Sequence, residues 1–127
     1  MSDQKYLHEL HAEHKLWISE LTLATDELNS FGQRLQEVNA ANTATEIRAQ
    51  VEHFQNQFIR QKEVIDTLKH EINEHERSIA QVAEANNTAS DHRKANDHSG
   101  ARENMDSFRK IFADLKQEFI TFLSKTM

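Results

Sequence analysis

Read for hydrophobic and polar positions alone, the chain carries three long stripes in which apolar residues return every three or four positions. That spacing lines one face of an α-helix. The first stripe runs Leu7, Leu10, His14, Trp17, Leu21, Ala24, Leu28, Phe31, Leu35, Val38. The second runs Ile47, Val51, Phe54, Phe58, Gln61, Ile65, Leu68, Ile72, His75, Ile79, Val82. Neither slips phase. The third, Asp91, Lys94, His98, Ala101, Met105, Phe108, Phe112, Leu115, Phe119, Phe122, is apolar only in its later half. Alternating threes and fours form a heptad pattern, which suits long helices packed side by side at a shallow angle.

Polar breaks separate the stripes at Asn39 to Asn42 and at Asn86-Asn87. Thr43 followed by Glu46 has the spacing of a capping box, and Thr88 followed by Asp91 resembles a second one. The pattern predicts helices over about 3–40, 44–85 and 89–125, in one domain spanning 1–127. Near-equal helices with short links predict an all-α fold, an antiparallel up-down-up three-helix bundle. The ambiguous element is the start of the third helix. DHRKANDHSG is polar and ends in Gly100, and glycine inside a helix costs about 1 kcal/mol against alanine. Asp91 and His98 nevertheless hold stripe register, which favours a long helix over a loop across 86–99. Pairing the first two helices about Asn42 sets Gln61 beside Ala24. His75 then falls level with Leu10 and with residues 98–101, and His14 lies about one turn away, beside Ile72.

Composition narrows the picture. The chain has no proline and only two glycines, Gly32 and Gly100, too few for the turns of a β-rich fold. It has no cysteine, which excludes disulfides and thiolate-type zinc sites. MSDQKYLHEL lacks the apolar centre of a signal peptide, and no run approaches the roughly 18 apolar residues of a membrane helix. A cytoplasmic protein is expected. The formal charge of -6 argues against a nucleic-acid surface. Arg93, Lys94, Arg102, Arg109, Lys110 and Lys116 alternate with acids and read as a solvated helix face. The acids on the C-terminal segment likewise argue against membrane contact.

Chemistry enters through the eight histidines. His14, His75 and His98 occupy stripe positions in three different helices, and His11 flanks the first stripe. All four belong to one end of the bundle, with Glu71 and Glu74 close by in sequence. Side chains converging inside a bundle are a common way to build a metal site. Imidazoles with a carboxylate suit a divalent zinc, iron, manganese, nickel or copper ion. The competing reading is a hydrogen-bonded polar layer at a wet bundle end. No loop holds a nucleophile, a base and an orienting group together, so no catalytic residue is expected.

Three resemblances bear on these residues. Trp17 on a first-helix stripe resembles spectrin-type three-helix repeats, which implies an architecture and no function. VEHFQNQFIRQKEVIDTLKHEI is similar to a small group of His-rich helical bacterial proteins of unknown function. His70-x-x-x-Glu74 and His92-x-x-x-x-Asp97 resemble two of the ligand patterns of hemerythrin, which would imply a diiron centre. The chain departs from that family in having no His-x-x-x-His and no fourth helix.

Apolar residues off the stripes complete the picture. Leu16, Ile18, Leu23, Ile59 and Val64 fit a core face wider than two positions per heptad. The segment IFADLKQEFITFLSKTM is apolar almost all round, and Ile111, Ile120 and Leu123 are expected to meet a partner, most simply a second copy. Of two function classes, the sequence favours a non-catalytic, self-associating interaction module. The alternative is a small metal-binding bundle using His11, His14, His75 and His98 with Glu71 or Glu74.

Overall fold

The structure is a computed structural model. It describes the backbone over residues 2–85 and 88–126, and side chains over 7–81 and 98–126. Val82, Asp91, His92, Lys94 and Asp97 therefore lie outside the described side chains. Three α-helices make up the chain: α1 (Ser2–Ala41), α2 (Thr45–Ala85) and α3 (Thr88–Thr126). There is no strand among the described residues. DHRKANDHSG, including Gly100, is part of α3 rather than a loop. No described helix is long and apolar enough to cross a membrane.

Each helix forms because its apolar residues share one face, and each ends where that face is interrupted. At the end of α1, Asn42 Nδ2 donates to the Val38 carbonyl at 2.8 Å, satisfying an acceptor that the last turn leaves without a partner. At the start of α2, Arg48 N–H donates to the Ala44 carbonyl. The cap therefore falls at Ala44, one residue later than the Thr43–Glu46 box predicted. The link is therefore 42–44, the same three-residue length as expected but one position later along the chain.

The buried residues are those on the stripes. On α1 they are Leu10, His14, Trp17, Leu21, Ala24, Leu28, Leu35 and Val38; on α3, His98, Met105, Phe108, Leu115, Phe119 and Phe122. On α2 the stripe from Val51 to Ile79 is buried at the same spacing, Gln61 included, except for half-buried His75. Gln61 Oε1 has no hydrogen-bond partner among the described residues. That costs about 1–3 kcal/mol, the kind of penalty accepted at a seam position that selects one register. Leu16 (70% exposed) and Leu23 (63%) stand in solvent rather than flanking the core. Ile59 does too, whereas Ile18 and Val64 pack against the core.

Contacts define how the helices run past one another. Phe31 packs on Phe58 while His14 packs on His75, so position rises along α1 as it falls along α2. Phe54 packs on Phe122 while His75 packs on His98, the same relation between α2 and α3. Between α1 and α3 the order runs in step. Glu13 pairs with Arg102, Glu20 with Arg109 and Glu27 with Lys116 at 2.7–2.8 Å, stepping seven residues on each helix. Exposed pairs of this kind contribute about 0.2–1 kcal/mol each, so the ladder fixes register more than it stabilises.

Candidate metal centre

The start of α1, the end of α2 and the start of α3 come together at one pole, and each contributes a histidine on its inward face. His14 and His98 are buried, at 2% and 1% exposure, and His75 is half-buried. Ring centroids lie 5.0 Å apart for His14 and His75, 5.1 Å for His14 and His98, and 5.6 Å for His75 and His98. One ring nitrogen of each falls within 4.8 Å of one nitrogen of both others. Pairing places His75 level with His14, about one turn from where the sequence register set it.

Two carboxylates decide which nitrogens face inward. Glu76 accepts hydrogen bonds from Nδ1 of both His14 and His11. Glu13 accepts from His98 Nε2 at 2.8 Å and from the Arg102 guanidinium at 2.7 and 3.1 Å. The Arg102 hydrogen bond does most to hold the Glu13 carboxyl below its ordinary range, with His98 adding to it and burial opposing. For Glu76, burial alone would raise the carboxyl, but the bonds from His14 and His11 outweigh it and the net shift is downward. Both groups are therefore ionised near neutral pH and can only accept.

A tautomer follows for each ring. A ring nitrogen facing a carboxylate must carry the proton, and in a neutral imidazole the other nitrogen is then a bare lone pair. The other nitrogens are His14 Nε2 and His98 Nδ1, and they lie 3.2 Å apart. In neutral rings both of these nitrogens are lone pairs aimed at one spot, which a metal ion or a shared proton between them would satisfy. A proton there would make one ring an imidazolium. Burial opposes this at His98, lowering its pKa from the ordinary histidine value despite the neighbouring Glu13. A tetrahedral ion with metal–nitrogen distances of about 2.0–2.1 Å holds its ligand nitrogens roughly 3.3 Å apart, close to the observed spacing. The buried Trp17 ring stacks on His98 at 5.0 Å and 19°, walling one side with a rigid apolar surface.

Not every expected residue takes part. His11 is half-exposed and reaches the cluster only through Glu76. Glu74 turns away to an ion pair with Arg77 at 3.3 Å, and Glu71 is exposed. Both line a groove between α2 and α3. The orienting carboxylates are Glu13 and Glu76, neither of which the sequence pattern singles out. Of the expected interface residues, Ile120 and Leu123 are neighbours one turn apart on α3, and Ile111 is not on their face. Ile111 (54% exposed) and Ile120 (45%) are nine residues apart, on opposite sides of a helix with 3.6 residues per turn. Leu123 is half-buried against the core.

No protein family matches the chain, and comparison with curated proteins and with solved structures finds no significant match. His70 is exposed and stands apart from the three clustered imidazoles, with Glu74 held by Arg77. His92 and Asp97, the other half of the hemerythrin-like pattern, lie outside the described side chains.

Proposed function

We propose that this chain is a small metal-binding protein, an antiparallel up-down-up bundle of heptad-patterned helices that holds one divalent transition-metal ion on His14, His75 and His98. The observation that carries the reading is the 3.2 Å approach of His14 Nε2 to His98 Nδ1, with the opposite nitrogen of each ring held by a carboxylate. Metal-bound histidines characteristically donate their other N–H to such a partner, which fixes the ring and raises its basicity. An all-nitrogen, borderline-soft donor set suits zinc, copper, nickel or ferrous iron better than magnesium or calcium. His11, Glu13, Glu76 and Arg102 are the supporting shell.

Titration of the metal-free protein with zinc tests this. One ion per chain should bind, and at a free concentration 100 times Kd the native state gains about 2.7 kcal/mol. For a domain of this size that is a rise in Tm on the order of 10 °C. Copper should quench the fluorescence of Trp17, the only tryptophan, at the same stoichiometry. An unchanged Tm at saturating zinc would sink the proposal.

A second reading, a cytoplasmic self-associating module, draws support from Leu16 and Leu23, which are exposed and seven residues apart on one face of α1. A dimeric mass in light scattering, reverting to monomer in Leu23→Lys, would support it. A monomeric mass at high concentration would count against it.

A further inference from the structure

The centre has three histidines, and an ion bound by three protein ligands keeps a position for something else. Where that position faces depends on which sides of the pole are closed. Between α1 and α2, Glu76 bridges His11 and His14. Between α1 and α3, the Glu13–Arg102 ion pair and the Trp17 ring stacked on His98 cover the cluster. Between α2 and α3 the side chains nearest the cluster on the α3 wall are short. Gly100 and Ala101 form one wall of a groove of about 560 Å³ that reaches His75. A Cβ built on Gly100 would meet nothing within 4 Å. His75 is the one imidazole of the three that lines this groove. Among the described residues no fourth histidine, aspartate or glutamate joins the cluster.

Charge says what would fit. A dication on neutral imidazoles, with Glu13, Glu76 and Arg102 around it, leaves the centre with one net positive charge. One monoanion neutralises it, and hydroxide formed from bound water is the smallest. Larger or multiply charged anions would have to pass Glu71 and Glu74 at the groove rim.

We infer that the metal centre is open rather than structural, and that the groove beside Gly100 and His75 admits water or a small monoanion to a fourth coordination position. This rests on the metal-binding reading above, and the test separates the two. Cobalt(II), whose visible bands report coordination, is titrated into the metal-free full-length protein, and azide is then added. The expected result is one cobalt per chain and a saturable azide-dependent shift of the bands, with sulfate producing none. Gly100→Leu fills the groove and favours helix; it should keep cobalt and weaken azide at least 10-fold. Glu71→Gln, a surface change, should strengthen azide severalfold. Cobalt binding without an azide response overturns the open position and leaves the metal centre standing. A Gly100→Leu protein that responds to azide like wild type overturns the groove as the route. Failure to bind cobalt overturns the metal reading itself.

Discussion

Replacing Phe119 by alanine is expected to cost about 3–5 kcal/mol of folding stability and to lower Tm by roughly 10–20 °C. Phe119 is fully buried, and its ring lies 5.1–5.2 Å from those of Phe31, Phe54 and Phe58, so it joins all three helices. Truncation removes the transfer term, leaves a cavity that rigid neighbouring rings fill poorly, and deletes edge-to-face contacts worth about 0.5–1.5 kcal/mol each. Denaturant unfolding measures it: the midpoint should fall while the slope stays unchanged. The cluster lies at the opposite pole from His14, His75 and His98, so zinc stoichiometry should be unaffected below the transition. A loss under about 1 kcal/mol would mean that the aromatic cluster is not packed as described.

Much of this architecture is legible in the sequence because helix periodicity is a local property. Leu21, Ile65 and Phe119 each fall where an uninterrupted three-and-four spacing predicts, and each is fully buried. Even the polar start of α3 keeps His98 in phase, and the helix continues through Gly100. What periodicity does not carry is the offset between helices, since a stripe can slide along its neighbour without losing its own phase. The Thr43–Glu46 box predicts the cap one residue early, and pairing about Asn42 sets His14 beside Ile72, whereas the structure sets it beside His75. A second pattern held the offset. Glu13, Glu20 and Glu27 repeat every seven residues, as do Arg102, Arg109 and Lys116, and the two rows meet rung by rung. Read as a solvated face, those cations hid the register they set.

The candidate site divides the same way. The three imidazoles were legible because a histidine on an apolar stripe is conspicuous. Nearness in sequence points to Glu71 and Glu74 as the carboxylates, and nearness misleads on a helix. Residues on either side of a seam position lie about 100° to its left and right. Glu76 therefore leans from His75 toward α1, where it meets His11 and His14, while Glu74 leans the other way, into the α2–α3 groove. Angle about the helix axis, not sequence distance, would have selected Glu76. The same rule sets Ile111 and Ile120 on opposite sides of α3.

Replacing His75 by leucine is expected to weaken zinc binding more than 100-fold, a loss of over about 2.7 kcal/mol, while the metal-free protein keeps its fold and its Tm holds or rises. His75 sits between Ile72 and Ile79 on the α2 stripe, so leucine supplies what a seam position prefers. The change leaves His14 and His98 with their carboxylate partners, so no buried N–H on them is orphaned. What it removes is one of three ligand nitrogens, and loss of a direct ligand should exceed the 10- to 100-fold typical of an orienting partner. Glu76→Gln should fall in that smaller range. His70→Leu, at an exposed position outside the cluster, should change neither affinity nor stoichiometry. Zinc content after dialysis and Tm with and without zinc read all three variants. If His75→Leu bound zinc as tightly as the parent chain, the imidazole pole would be a polar layer of the core and not a metal centre.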